Sequence, residues 1–537
     1  MPHRPPPPRH PDANLDVTFG SADGVAVTTH HLATRTAVQM LESGGNAVDA
    51  AIAANAVLGV VAPDTCGPGG DLFALVHEPG ATAPTALNAS GCAGSGVDAT
   101  RMRQRGLTAM PLRSPETVTV PGCVDGWEAL LGRHGSRSLG EVLAPAMALA
   151  NDGFEVSTEL ATTLAYVGAL IGAEVSAEAL YPDGAPPRPG DIIRRPDLAT
   201  TLAEIADGGR RAFYEGRAGS GITAATDNQI TAADLAQVQA DWVTPIGVTL
   251  HGLEAWTMPP NSQGYLTLAA LWLADAVALG SDPEDPATHH GLIEAYRAVA
   301  WERDDLVTDP GTSPLPQDRL LDPERLGRRV SVIDDRRVAD WPAPSPAPGG
   351  TAYLCTRDRW GMGVSLIQSN FHGIGAGLGA GDTGVFLHNR GAGFNLIPGH
   401  PNELSPGRRP LHTLSPTLWT DAGALRLLLG TRGGHYQPQI LLQVAAHRFA
   451  AGLSLTEAIA APRWVLDSVS PDEPPSLLVE GRMPSTVIDG LRGRGHLVSL
   501  TGDWQRDWGP VAAIEVTDDG GTASGDPRVD TSTAATI

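Results

Sequence analysis

The chain has 537 residues, of which 42% are hydrophobic and 18% are charged, with 63 glycines and 45 prolines. This composition is typical of a loop-rich globular enzyme and argues against a coiled coil or a disordered chain. The formal net charge of -23 argues against a nucleic-acid binder, which would carry a basic patch. The four cysteines include no CxxC pair, so neither a disulfide scaffold nor a thioredoxin-like or zinc motif is indicated.

The first residues are rich in proline and arginine and contain no apolar segment of the kind found in secretory signals. No stretch of about 18 apolar residues indicates a membrane span. We therefore expect a cytoplasmic protein that binds no membrane and begins with a disordered, Pro-rich tail over residues 1–14.

The first half of the chain predicts mainly helices. A short strand is expected over 24–29, followed by a helix from Leu32 to the Gly44-Gly45 pair and an alanine-rich, buried helix over 47–60. A glycine-rich turn leads into a buried strand at 72–76. Residues 100–330 are expected to be mostly helical, with helices near 124–133, 139–151, 196–206, 266–277 and 290–299.

Residues 331–350 form a Pro-rich segment that is typical of an exposed linker and ends at Thr351. Strands then become frequent. Two short strands, 351–356 and 362–368, flank a plausible hairpin turn. A further strand over 425–429 ends in a glycine-rich turn, and a helix is expected over 437–451.

Thr351 is a candidate nucleophile. A threonine hydroxyl needs a base, and a threonine at the start of a chain can use its own α-amino group, whose pKa lies near 7.7–8.0. An internal threonine must first be freed by cleavage, and Gly349-Gly350 would let the preceding peptide bond adopt the required strained geometry. By itself this pattern also fits an ordinary strand start after a loop.

Gly433 and Gly434 follow the strand at 425–429. Adjacent glycines expose backbone N–H groups, which can form an oxyanion hole for a tetrahedral intermediate. The helix from Gln437 would add a favourable dipole at its N-terminus. A plain strand-to-helix turn is the alternative interpretation.

Further motifs occur in a fixed order along nearly the whole chain. They are Gly44-Gly45 with Asn46-Ala47-Val48-Asp49-Ala50-Ala51, Gly69-Gly70, Met258-Pro259-Pro260-Asn261-Ser262-Gln263-Gly264, Arg409-Pro410-Leu411, Leu414-Ser415-Pro416-Thr417, Ala461-Pro462-Arg463 and Asp526-Pro527-Arg528. Together with Thr351 and Gly433-Gly434, this pattern resembles the γ-glutamyltransferase family of N-terminal-nucleophile hydrolases.

The resemblance implies an α+β fold, the four-layer αββα sandwich of these hydrolases. It implies autocatalytic cleavage between Gly350 and Thr351, which would give a large portion, 15–350, and a small portion, 351–537, that remain together as one catalytic domain. It makes Thr351 the nucleophile and places the oxyanion donors at Gly433 and Gly434. The oligomeric state stays open.

The chain departs from the family's γ-glutamyl pattern. Segment 86–91 lacks the family's arginine for the substrate α-carboxylate, and segment 389–394 has Arg390 but neither of the aspartates that hold the α-amino group. His412-Thr413 replaces the usual Ser-Ser pair. Without these partners a zwitterionic glutamyl group would be buried uncompensated, at a cost of several kcal/mol. The altered pattern looks like that of the γ-glutamyltransferase-like amidohydrolases, which include oxamate amidohydrolases.

We therefore expect a hydrolase for an amide, or an activated acyl group, beside a carboxylate, acting through an acyl-Thr351 intermediate. Arg390 can grip a carboxylate in a bidentate manner, and Arg432 is a second candidate. The other expected pocket residues are Ser369, Gln368, His412 and Thr413.

Three other functions stay open at this point. They are a γ-glutamyltransferase or glutathione hydrolase with an altered pocket, a C–C hydrolase of oxalyl type in secondary metabolism, and a non-catalytic binding protein. The glycine-rich segment 373–384 matches a dinucleotide loop only weakly, and His289-His290 lacks metal-ligand spacing. We expect a small-molecule substrate and no nucleic acid, cofactor or metal.

Overall fold

Two seven-stranded sheets form the centre of the molecule in the computed structural model, which describes residues 5–6, 8–278, 280–342, 349–467 and 476–537. The strands found in those residues are β1 (Asp16–Gly20), β2 (Val25–Thr28), β3 (Asp71–His77), β4 (Thr85–Ala89), β5 (Phe154–Glu155), β6 (Ile192–Ile193), β7 (Asp241–Val243), β8 (Ile246–Leu250), β9 (Leu253–Thr257), β10 (Gly350–Arg357), β11 (Gly363–Phe371), β12 (Thr417–Asp421), β13 (Ala424–Thr431), β14 (Trp464–Asp467), β15 (Ser476–Glu480), β16 (Val498–Thr501), β17 (Val511–Thr517), β18 (Gly520–Ser524) and β19 (Thr533–Thr536).

Helices surround the sheets. The α-helices found in the same residues are α1 (His31–Glu42), α2 (Ala47–Val61), α3 (Ala99–Gln104), α4 (Cys123–His134), α5 (Leu139–Asp152), α6 (Thr158–Ile171), α7 (Pro196–Tyr214), α8 (Arg217–Ala225), α9 (Ala232–Leu235), α10 (Tyr265–Val277), α11 (Pro286–Ala300), α12 (Arg303–Leu306), α13 (Pro323–Val330), α14 (Gln437–Phe449), α15 (Leu455–Ala460) and α16 (Ser485–Gly493).

The sheets are antiparallel and face each other. One has the strand order β19-β2-β10-β11-β3-β4-β7 and the other β1-β18-β17-β13-β12-β9-β8. Alternate side chains of both sheets, such as Phe73, Tyr353 and Leu428, meet in a buried apolar layer. Gly430 on β13 has to lack a side chain, because a Cβ atom there would lie 2.2 Å from the Tyr353 ring.

Helices complete the outer layers. The alanine-rich α2 is buried along its whole length and packs on β10 and β11. Its start is fixed by Asn46, whose side chain accepts hydrogen bonds from the backbone N–H groups of Val48 and Asp49. Helices α10 and α14 cover the second sheet. The result is the predicted four-layer αββα sandwich.

Most predicted elements are present, with some differences in extent. Helix α7 continues beyond residue 206 to Tyr214 through a kink at Gly209, and α11 begins at Pro286, with Asp285 as its N-cap, rather than at 290. The strands β7, β8 and β9 lie in the region expected to be mostly helical. These three strands are short, and β7 and β8 are edge strands of the two sheets, while β9 lies between β8 and β12.

The described part of the N-terminal tail contacts the rest of the protein. Residues 1–4 and 7 of the expected tail lie outside the described residues, but the His10 ring stacks on His31 at 3.9 Å and the Arg9 guanidinium donates to Ser532 O. Residues 9 and 10 of the tail are therefore in contact with the rest of the protein. A backbone bond from His10 N to Asp530 O reinforces this contact.

The linker is held close to α11 and α16. Its residues 343–348 lie outside the described part of the chain. In the part that is described, Glu294 accepts from Ala339 N at 2.9 Å, His290 Nε2 donates to Asp334 O at 2.7 Å, and Arg494 donates to Asp335 O at 3.2 Å.

None of the helices within the described ranges is both long and apolar enough to cross a lipid bilayer.

Candidate active site

Thr351 lies at an irregularity between β10 and β11. Gly350 is opposite Phe371 while Ala352 is opposite Gln368, so the register shifts at the threonine. The Thr351 side chain is buried, and its Oγ1 donates to Ser369 Oγ at 3.3 Å. Ser369 Oγ donates in turn to Gly350 O at 2.6 Å. One hydrogen-bonded path thus joins the threonine hydroxyl to the carbonyl of the residue before it.

Phe371 ends β11 in a left-handed conformation, with a φ of 73°. A non-glycine residue held there typically costs about 1–3 kcal/mol and is characteristic of functional sites. The conformation lets Phe371 N donate to Ser369 Oγ at 2.7 Å. It also places the aromatic ring 3.9 Å from the guanidinium of Arg390.

Arg390 is fully buried at the start of a 3₁₀ turn, Arg390–Gly393, and is poorly neutralised. Its Nη1 donates to Thr413 Oγ1 at 3.1 Å and its Nη2 to Ser369 Oγ at 3.5 Å, whereas its Nε has no partner in the described structure. No described carboxylate lies within ion-pair distance. Burial lowers the pKa of Arg390 to about 9, an effect that the more distant Asp71 only partly opposes. A buried cation in this state favours an anionic ligand.

Asp71, at the start of β3, anchors the other side of the site. Its carboxylate accepts from Gly91 N at 3.1 Å and from His412 Nε2 at 3.1 Å, and lies 3.6 Å from His388 Nδ1. Burial and the nearby Arg390 lower the pKa of His412 to about 3, so this ring is neutral near pH 7. His412 therefore acts as a neutral donor to Asp71.

Gly433 and Gly434 lie in the turn between β13 and α14. Their φ angles are 123° and 56°. Gln263 fixes the turn because its Nε2 donates to Gly434 O at 2.9 Å. The turn adjoins the predicted cleavage segment, residues 349–351: a Cβ atom on Gly349 would lie 3.4 Å from Gly434 Cα. Within the described residues, neither glycine N–H donates to another protein group, so both can serve as oxyanion donors.

Some of the predicted pocket residues are connected to Thr351, and others have partners elsewhere. Ser369, Thr413 and Arg390 are connected to Thr351 by the hydrogen bonds given above. Gln368 instead points away from this group: its amide oxygen accepts from Asn55 on α2 and from the backbone N–H of Gly67, which follows that helix. Arg432 forms an ion pair with Glu159 at 2.5 Å, so it is already neutralised and is the weaker candidate for a substrate carboxylate.

Sequence reasoning missed Asp71, His388 and Phe371. A carboxylate directly after Gly69-Gly70 and before the apolar run 72–76 was an available signal for Asp71, because an acid at the start of a buried strand needs a partner. His388, two residues before Arg390, gave a weaker signal. No local feature indicated the left-handed conformation of Phe371.

His290 also lies in a group that the sequence did not reveal. Its side chain, Glu294 and His496 offer ligand atoms within 4.8 Å of one another, a spacing that could hold a metal ion. His290 Nδ1 and His496 Nε2 are already 2.7 Å apart in a hydrogen bond. This group involves none of the residues around Thr351.

Comparison with known proteins decides the family. A family model described as gamma-glutamyltranspeptidase matches residues 33–536. The chain belongs to this family. It is accordingly an enzyme, a γ-glutamyltransferase-like hydrolase.

Three members or neighbours of this family are similar to the chain over nearly its whole length. The glutathione hydrolase-like YwrD proenzyme of Bacillus subtilis is 36% identical over 94% of this chain and 97% of its own length. The oxamate amidohydrolase proenzyme of Klebsiella pneumoniae is 35% identical over 92% and 94%. A crystal structure of cephalosporin acylase from Bacillus halodurans superimposes with a TM-score of 0.90 at 30% identity, covering 100% of this chain and 98% of the acylase.

Proposed function

We propose that the protein cleaves itself between Gly350 and Thr351 and then hydrolyses an amide, or an activated acyl compound, that carries a carboxylate close to the acyl carbon. The observation that carries this proposal is the position of Arg390, a buried and poorly neutralised cation that shares Ser369 with Thr351. The names of two relatives, an oxamate amidohydrolase and a cephalosporin acylase, agree with amide hydrolysis.

The first step is the cleavage of the chain. Thr351 Oγ1 attacks the Gly350 carbonyl carbon, the C–N bond breaks, and the acyl group passes from nitrogen to oxygen as the nitrogen gains a proton. Water then hydrolyses the ester and leaves Thr351 with a free α-amino group. Ser369 supports this step because it donates to Gly350 O, where negative charge develops.

The second step is turnover by the exposed threonine. The α-amino group takes the proton of the Thr351 hydroxyl, which attacks the substrate carbonyl and forms an ester as the leaving group departs with that proton. Water hydrolyses the ester. The N–H groups of Gly433 and Gly434 stabilise the oxyanion in both halves of the reaction, a contribution of about 3–4 kcal/mol per donor in comparable enzymes.

The distance between nucleophile and cation limits the acyl group. Since both contacts end on Ser369 Oγ, at 3.3 and 3.5 Å, Arg390 Nη2 lies at most about 6.8 Å from Thr351 Oγ1. When a substrate carboxylate is bonded directly to the acyl carbon, or is one carbon away, a group that donates a hydrogen bond to it lies roughly 6–7 Å from the attacking oxygen. Oxalyl- or malonyl-sized acyl groups therefore fit better than an extended γ-glutamyl group.

The glutathione hydrolase alternative is favoured by the name of one relative. Such a substrate needs an acid for its α-amino group, and the described acid nearest to Arg390, Asp71, is already engaged by His412, Gly91 and Gly122. A C–C hydrolase would use the same acyl-Thr351 chemistry with a carbon leaving group. Release of glutamate from a γ-glutamyl anilide would favour the first alternative.

The test begins with a denaturing gel and N-terminal sequencing of the wild type and Thr351→Ala. We expect two fragments from the wild type, the smaller starting at Thr351, and an intact chain from the variant. Processed Arg390→Ala, with Arg390→Lys beside it, should then lose at least 100-fold in kcat/KM for oxamate, mainly through KM. An unprocessed wild type refutes the mechanism, and an unchanged KM in Arg390→Ala refutes the role of Arg390.

A further inference from the structure

A cavity of about 400 Å³ lies beside Phe371, whose ring contacts Arg390. Its wall is mostly apolar and includes Met110, Leu112, Phe371, Phe394, Ile397 and Leu411. Two charged residues also line it, Arg303 and Asp304, which form an ion pair with each other at 2.8 Å. This size is typical of a small-molecule pocket, and its lining favours an uncharged apolar group.

The cavity and the Thr351 site are built from the same three segments. Phe371 is two residues after Ser369, Ala392 is two residues after Arg390, and Leu411 directly precedes His412. In each segment one residue lies in the hydrogen-bonded site and its near neighbour lines the cavity. The Phe371 ring borders both spaces, since it contacts the Arg390 guanidinium and lines the cavity.

The cleavage segment shows which half of a substrate approaches the cavity. In self-cleavage the acyl carbon is that of Gly350, so Gly349 stands on the acyl side of the scissile bond. A Cβ atom on Gly349 would lie 3.2 Å from the Phe371 ring. An acyl substituent that takes the place of Gly349 after cleavage therefore points toward Phe371, which lines the cavity.

We infer that the acyl half of the substrate carries an aryl or alkyl substituent that occupies this cavity while its carboxylate binds Arg390. The inference rests on the proposed function and narrows its substrate class to short-chain acyl groups with an apolar branch. A 2-substituted malonyl group has this form. Oxamate itself would leave the cavity empty.

Binding of product analogues tests the inference without depending on turnover. Calorimetry on the processed wild type should show benzylmalonate binding at least 10-fold more tightly than malonate, since one apolar group in a fitted pocket typically gives 10–200-fold. Ala109→Trp, an exposed position in the cavity wall, should abolish this preference and leave malonate binding unchanged. Ala185→Trp, exposed and outside the wall, should preserve it.

The outcomes separate the two proposals. Equal binding of both diacids overturns the inference and leaves the proposed function standing. Absent malonate binding, together with an Arg390→Ala variant that behaves like wild type, overturns both. The rate of hydrolysis of 2-benzylmalonamate should exceed that of malonamate. A rate gain seen instead only with N-benzylmalonamate would place the apolar group on the leaving side and would also overturn the inference.

Discussion

Thr351 Oγ1 donates to Ser369 Oγ at 3.3 Å, and the same serine oxygen donates to the Gly350 carbonyl. Ser369→Ala removes both contacts, so we expect chain cleavage to slow by about 10–100-fold while the fold persists. The fraction cleaved, followed over time on denaturing gels, measures the effect.

Ser365→Ala is the matched control for Ser369. Ser365 is equally buried on β11, but its hydroxyl contacts Tyr353 OH at 2.8 Å instead of the cleavage segment. Its variant should be cleaved at the wild-type rate. Equal rates for both variants would show that Ser369 only stabilises the strand.

The oxyanion turn should be sensitive at Gly433. Its φ of 123° is unfavourable for any side chain, and an added Cβ atom would lie 3.3 Å from Asp507 O. We expect Gly433→Ala to cost about 1–3 kcal/mol and to slow cleavage by about 100-fold as the N–H groups turn away. Gly452→Ala introduces a similar φ conflict, at 72°, but an added Cβ atom there would meet only open space. It should lose stability but keep its cleavage rate, whereas comparable losses of rate would argue against an oxyanion role.

Asp71 should matter for both stability and anion binding. Burial acts to raise its pKa, but His388, His412 and Arg390 outweigh burial and hold the pKa below its usual range. Its ionised form therefore stabilises the protein above the ordinary pKa near 3.8, and this contribution is lost as pH falls below that value. Asp71→Asn should cost about 3 kcal/mol at pH 7 in thermal or urea unfolding.

An added dicarboxylate distinguishes charge from packing in the Asp71→Asn variant. Malonate should raise the melting temperature of the variant by more than that of the wild type, because Arg390 then lacks its distant counter-charge. Asn88→Ala, a change at a buried amide that pairs with Asn261, is the control and should show no such difference. Equal shifts in all three proteins would contradict this electrostatic link.

Asp64 should make the stability of the protein depend on pH in the direction opposite to that expected for Asp71. Burial, reinforced by Glu159 and opposed by Arg432, raises the pKa of Asp64 to about 6. The folded protein thus prefers the protonated form, and stability is lost as pH rises from about 4 to about 6. Asp64→Asn should stabilise the protein by up to about 3 kcal/mol at pH 8 and by little at pH 4. A gain that is the same at both pH values would show that the ionisation of Asp64 is not its cause.

The sequence predicted the fold well where periodicity and glycine pairs were strong. The helix at α2, the β10–β11 hairpin and the turn at Gly433 all follow from local patterns, and the family motifs supplied their arrangement. The cluster around Asp71 could not be derived in this way, because Asp71 lies more than 300 residues from His388 and His412 and meets them only in the folded protein. Gln368 was predicted to line the pocket, but it is adjacent to Ser369 on β11, and alternate side chains of a strand face opposite ways.

Each central sheet is built from strands on both sides of the Gly350–Thr351 bond. In one, β10, β11 and β19 are interleaved with β2 and β3, and in the other β12 and β13 separate β9 from β17. After a cut at that bond, both sheets would consist of strands from two pieces, and neither piece would contain all the strands of one sheet. If the chain cleaves itself as proposed, the single polypeptide has to fold before the cut. The two pieces, once unfolded, would lack the covalent connection that guided them into register. Self-cleavage would thus make folding irreversible, because the structure can be assembled only once, from the uncut chain.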